Sequence, residues 1–312
     1  MWPLSLPVQR SSLGAPRLSK FKLSALVASA LLCGVLAQST LAQSTINSVN
    51  RFAYGANIGW TDWRANGANG VVIGEYVCTG YIYAANVGWI NLGGGTAANG
   101  IHYQNNSATD FGVNNDGFGN LRGYAWGANI GWVNFESLGA PRLDLCTGKL
   151  SGHIYGANVG WISLSNATAF VQTDSIQRGL DSDGDGIPDA FELTWAGNLM
   201  TMGLTSDFDR DGISDRDEYW AGTNPIDPAD KLQITNFASN NDNSLSTLTW
   251  TTTLSRHYKI QKRANFNPLT PWVDLSLGLI SPDAGPTTAR TATDSPATQR
   301  YFRVQAVRPL IP

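Results

Sequence analysis

The chain has 312 residues and a formal net charge of −3, and no basic stripe runs along it, which argues against nucleic acid as a partner. Charged residues make up only 14% while Gly, Asn, Thr and Trp abound, so strands and turns are favoured over helices and the expected fold class is mainly β. The length allows two or three ordinary domains.

Residues 1–42 read as an export signal. Arg10, Arg17, Lys20 and Lys22 precede the apolar run LSALVASALLCGVLA, and small residues follow, with Thr40-Leu41-Ala42 as the expected cleavage point. That run is too short for a comfortable membrane span, and no other long apolar stretch follows. The expected product is therefore secreted or displayed at the cell surface, with the periplasm as the alternative, and it carries no transmembrane segment.

Residues 43–170 repeat one phrase four times: AYGANIGWTDW, YAANVGWINL, WGANIGWVNF and YGANVGWISL. Its Asn falls at 57, 86, 129 and 158, with intervals of 29, 43 and 29, so the region is expected to be a four-copy β-repeat domain built from a duplicated pair. Each copy reads as a hairpin whose turn uses an Asn tolerant of left-handed angles and a Gly. Strand alternation puts Trp60, Trp89, Trp132 and Trp161 in register on one face. Burial in a core is the preferred reading, since each ring removes about 150–250 Å² from water. The alternative is that they stand exposed and stack on a glycan. Cys78 and Cys146 are each followed by Thr-Gly, and one disulfide between them would suit an oxidising compartment. The Cα separation of roughly 4.4–6.8 Å that a disulfide requires decides the matter.

Residues 171–230 are dominated by two acidic twelve-residue loops, DSDGDGIPDAFE at 181–192 and DFDRDGISDRDE at 207–218. Positions 181–230 hold thirteen of the chain's 24 Asp and Glu against two Arg, a local charge of −11. A hard cation with six to eight oxygen ligands asks for this spacing: carboxylates at positions one, three and five, a backbone carbonyl at seven, a polar group at nine, a bidentate Glu at twelve. The candidate ligands are Asp181, Asp183, Asp185, the Ile187 carbonyl, Asp189 and Glu192 in one loop. In the other they are Asp207, Asp209, Asp211, the Ile213 carbonyl, Asp215 and Glu218. Gly186 and Gly212 make the sharp turn at position six. Pro188 and Ser214 should each open a short helix that ends at a Gly. Asn224 and Asp227 are further candidates for the second loop.

The pattern D-x-D-x-D-G-[IL]-x-D-x-x-E, followed by an aromatic-rich helix and AGTNPIDP, resembles the thrombospondin type 3-like calcium repeats of exported bacterial proteins. It also resembles an EF-hand loop, but departs from it at position eight, where Pro188 and Ser214 replace the usual Ile. The resemblance covers about 50 residues and implies two bound Ca²⁺ ions without implying an activity. The ANxGW phrase is similar to repeats of uncharacterised exported bacterial proteins, which brings no activity either.

Residues 231–312 change to separated β runs, KLQITNF, STLTWTTT, RHYKIQKR, PWVDLS, TTARTATD and RYFRVQAV, as expected of a small β-sandwich. Trp250, Tyr258, Trp272 and Phe302 are its candidate core aromatics. The segment resembles a fibronectin type III or immunoglobulin-like module.

No HExxH, GxSxG or phosphate-loop motif occurs. No catalytic residue is assigned, and the expectation is a non-enzymatic, calcium-binding modular protein with a structural or adhesive role. Its other partner would be an extracellular glycan or another surface protein. A carbohydrate-binding protein using the repeat Trp and Asn is the second reading, and a secreted hydrolase the third.

Overall fold

A computed structural model describes residues 43–311, so the expected export signal lies outside the described residues. Among these the fold is mainly β, with two short helices, and no helix is long and apolar enough to cross a membrane.

Each repeat phrase makes one hairpin. The first pairs β1 (Ile46–Gly55) with β2 (Gly59–Asp62), and the second pairs β3 (Tyr81–Ala84) with β4 (Gly88–Asn91). After the short β5 (Val113–Asn115), β6 (Leu121–Gly127) pairs with β7 (Gly131–Asn134). The two-residue strands β8 (Arg142–Leu143) and β9 (Leu150–Ser151) precede the fourth hairpin, β10 (His153–Gly156) with β11 (Gly160–Ser163). β12 (Val171–Thr173) then returns to β1.

The hairpins join edge to edge, and β11 pairs back onto β1 through Tyr54↔Ser163 and Gly55↔Ile162. The eight hairpin strands thereby close into an antiparallel barrel, which leaves no unpaired edge between copies. At each tip the N–H of Ile58, Val87, Ile130 or Val159 donates to a carbonyl three residues back, at 3.0–3.2 Å. The left-handed angle falls on Gly59, Gly88, Gly131 and Gly160 (φ +77, +82, +76 and +75), not on the Asn as expected. The Asn amides instead latch each hairpin to its neighbour. Asn86 Nδ2 donates to the Ile58 carbonyl, Asn129 to Val87, Asn158 to Ile130, and Asn57 closes the ring on Val159, all at 3.0–3.1 Å.

Strand alternation holds, but its inward face is the opposite of the one preferred from sequence. Thr61, Ile90, Val133 and Ile162 point into the barrel, as do Trp63, Leu92, Phe135 and Leu164 three residues after each repeat Trp. Trp60, Trp89, Trp132 and Trp161 stand outside, 43–48% exposed. An eight-stranded barrel is only just wide enough for its interior side chains. The cross-strand partners Ala53/Thr61, Ile82/Ile90, Ala125/Val133 and Ile154/Ile162 fill that width, and four indoles at the same level would not fit.

The two cysteines are free, so the disulfide left open by the sequence is not made. Cys78 is fully buried in the barrel core, where desolvation pushes its thiol up to about 12. Cys146 is exposed in the turn after β8, with Sγ 3.2 Å from Ser281 Oγ and 4.0 Å from His257 Nδ1.

Beyond the barrel come helices α1 (Asp189–Trp195) and α2 (Asp215–Ala221), each opening inside an acidic loop. Ser214 Oγ caps α2 by accepting from the Asp217 N–H, and Gly222 (φ +75) ends it. Six strands follow: β13 (Ile234–Ser239), β14 (Leu245–Thr251), β15 (His257–Arg263), β16 (Val273–Asp274), β17 (Thr287–Thr293) and β18 (Tyr301–Val307). β13, β14 and β17 form one sheet, β16, β15 and β18 another, and both contribute to a core of Leu248, Trp250, Tyr258, Ile260 and Ile280. Phe302 packs against it partly buried. Trp272 does not join it. It precedes the edge strand β16 and lies between Arg263 and Arg303, each guanidinium 4.7 Å from the ring centroid.

Candidate metal centre

The alternating aspartates and the Gly at position six fold each loop back on itself. Asp181 accepts the Gly184 and Gly186 N–H groups at 2.8 and 3.1 Å, and Asp185 accepts that of Ile187 at 2.8 Å. The second loop repeats this: Asp207 accepts from Asp211 and Gly212 at 3.1 and 3.0 Å, and Asp211 from Ile213 at 2.7 Å. Gly186 (φ +100) and Gly212 (φ +92) hold backbone angles that a side chain would strain.

Three carboxylates converge in each loop. One oxygen from each of Asp181, Asp183 and Asp185 lies within 4.8 Å of the other two, and Asp207, Asp209 and Asp211 do the same. Glu192 and Glu218, at position twelve, are carried to their loops on the first turns of α1 and α2 and are fully buried. Neither oxygen of Glu192 has a hydrogen-bond partner, and Asp185, Asp209 and Glu218 each leave one buried oxygen unpaired. Burial, then the charges of Asp183 and Asp185, pushes Glu192 up to about 7. Burial, then Asp209 and Asp211, pushes Glu218 up to about 8. A buried carboxylate with no donor is costly unless a cation compensates it. The donor set is all oxygen and the spacing is that of a hard divalent ion, so these residues fit calcium.

Position nine behaves differently from expectation. Asp189 is spent on Ser182, accepting from its backbone N–H at 2.7 Å and its hydroxyl at 2.5 Å. Asp215 likewise accepts from the Phe208 N–H at 2.9 Å and the Ser206 hydroxyl at 2.5 Å. Both brace the loop from behind. Asn224 and Asp227 are similarly spent on their own turn, accepting from Ile226 and Ala229. Ile187 is fully buried in a small core with Phe191, Met202 and Tyr219, while Ile213 is half-buried.

No local motif marks what surrounds the loops. Arg178 approaches Asp181 at 3.8 Å, and Lys231 Nζ approaches Asp211 Oδ2 at 3.3 Å. Tyr219, the residue after Glu218, donates its hydroxyl to both oxygens of Glu75 in the barrel at 3.0–3.1 Å. Arg308, just past β18, pairs with Glu75 at 2.8 Å and lies 4.9 Å from the Tyr219 ring. From the start of β15, Arg256 donates to the Tyr219 and Trp220 carbonyls at 2.6 and 2.9 Å. Apart from Arg178, three residues before Asp181, these partners are distant in the chain and carry no local pattern.

The exposed Trp residues form a second candidate site. Each stands beside an aromatic on the partner strand, Tyr54–Trp60, Tyr83–Trp89, Trp126–Trp132 and Tyr155–Trp161, with centroids 4.7–5.0 Å apart. Two residues after each Trp, Asp62, Asn91, Asn134 and Ser163 face the next hairpin's Tyr83, Trp126, Tyr155 and Tyr54. An aromatic pair and a polar group thus recur around the barrel.

A family described as the bacterial TSP3 repeat matches residues 181–194 and 207–228, which covers both acidic loops, all of α2 and α1 up to Thr194. No curated protein and no solved structure matches the chain.

Proposed function

We propose that the chain is an exported, non-catalytic, modular surface protein in which two calcium ions clamp a repeat barrel to a C-terminal β-sandwich. The calcium-binding repeat is the shared premise, since the family match and the carboxylate triads fall on the same residues. The observation that carries the reading is Glu192, a fully buried carboxylate with neither oxygen paired. The clamp follows from Tyr219, which shares a helix turn with Glu218 and bonds Glu75. In extracellular modules such sites have dissociation constants of about 10⁻⁴–10⁻³ M, which suits a constitutive ordering role outside the cell and not a cytosolic switch.

Calorimetric titration of the purified chain with calcium tests this. Two sites with millimolar or tighter affinity are expected, one lost in Asp181→Ala and the other in Asp207→Ala. No heat at millimolar calcium would end the reading. A second reading, carbohydrate binding by the repeat barrel, is favoured by one observation: the four repeat Trp residues are exposed in register, each beside a second aromatic and near a polar residue.

A further inference from the structure

One hairpin differs from the other three. The interval before the third repeat is longer by fourteen residues, and the Asn-rich segment within it folds against the outer face of β6 and β7. It borders an open pocket of about 450 Å³. Its lining is aromatic at Trp132, Tyr124 and Phe111, and small or polar at Asn105, Asn106, Ser107 and Ala108. We propose that this pocket binds a ring of a neutral saccharide, a proposal that rests on the carbohydrate-binding reading and locates it.

The aromatic rings pack edge to face against Trp132. Phe111 stands 5.2 Å from Trp132 with planes at 80°, and Tyr124 stands 6.3 Å away at 76°. Trp126 supports the same indole at 4.7 Å. Trp132 nevertheless remains 45% exposed.

The polar lining is held by its own bonds. Asn105 donates to the Tyr103 carbonyl and accepts from the Gly112 N–H, and Ser107 Oγ accepts from the Asp110 N–H. Asn106 makes no hydrogen bond among the described residues and is exposed, so its amide offers two donors and an acceptor to a ligand.

No charged side chain lines the pocket, which disfavours ionic ligands. A pyranose has an apolar C–H face for the electron-rich aromatic surface and a rim of hydroxyls for an amide. The volume lies in the usual range for small-molecule sites, about 300–1,000 Å³.

The test is titration of the full chain, calcium-loaded, with cello-, chito-, xylo-, laminari- and malto-hexaose, read by tryptophan fluorescence and calorimetry. At least one probe should bind. Trp132→Ala should weaken it at least tenfold and Asn106→Ala several-fold, and Trp132→Ala should cost more affinity than a Trp60→Ala, Trp89→Ala, Trp161→Ala triple variant does. Asn106 is exposed and unbonded, so its variant keeps the result independent of folding. If wild type binds none of the probes, the pocket and the carbohydrate reading fall together. If both pocket variants bind as wild type while the triple variant does not, the pocket falls and the aromatic belt stands.

Discussion

Glu192 and Glu218 give the metal-free protein an inverted response to acid. Their folded-state values, about 7 and about 8, lie above the roughly 4.3 of a free Glu. The folded state therefore holds these protons more tightly than the unfolded chain does. Stability from these groups is fullest below the ordinary Glu range and is lost as pH rises through 7 and 8. The carboxylates held low, among them Asp144, Asp274, Asp283 and Asp294, titrate below that window, while His102, held below the ordinary imidazole value by burial, opposes the two Glu residues as one group against two. In excess chelator the melting temperature should thus rise between pH 8.5 and pH 5.5. With calcium the cation replaces the protons, so the calcium-induced shift should shrink over the same interval. Glu192→Gln keeps the shape and removes the charge. It should raise the melting temperature in chelator at pH 8 while losing most of the first loop's calcium affinity. A variant less stable than wild type in chelator, with its calcium shift intact, would refute the orphaned-charge account.

At the scale of elements, the hairpins, both loop helices and the mainly β class are readable from residues alone. Period-two alternation after Asn-Ile/Val-Gly specifies which residues share a face. It does not specify which face looks inward, because that depends on closure, and closure depends on the β11–β1 pairing between copies more than 100 residues apart. Alternation alone allows either face inward, and the large apolar area of the indoles favours the face that the closed barrel turns outward. The acidic triads are legible for the opposite reason, since the convergence of Asp181, Asp183 and Asp185, and of Asp207, Asp209 and Asp211, follows from local spacing. What was missed there, Asp189 and Asp215 turning to Ser182 and Ser206, depends on side-chain direction and not on spacing. The inverted face has a measurable consequence. Ile90→Ala removes a fully buried side chain from the barrel and should cost about 2–5 kcal/mol. Trp89→Ala, although it deletes more atoms, removes a ring already 43% exposed and should cost less than Ile90→Ala in the same denaturant titration. The reverse order would mean that the indoles carry the core.

At the scale of the whole molecule, the second calcium loop sits where three parts of the chain meet. Glu218 faces the ion site, and the next residue, Tyr219, bonds Glu75 of the barrel. Its carbonyl and that of Trp220 accept from Arg256 of the sandwich. Arg308 closes the circuit by pairing with Glu75. The last turn of α2 is therefore shared between both β domains, and ordering its loop with a cation should order the contacts with them. Bonds from a charged donor to a carbonyl contribute about 1.5–3 kcal/mol each. Arg256→Ala should thus cut the bonds from α2 to the start of the sandwich without touching the candidate ion ligands, while the Arg308–Glu75 pair and the Cys146–Ser281 contact stay in place. Calcium heats should persist, while calcium-dependent protection of residues 253–258 from hydrogen exchange disappears and protection of 207–218 remains. Protection of both segments in the variant, equal to wild type, would mean that the ion orders only its own loop and that the two β domains are held together by something other than the clamp.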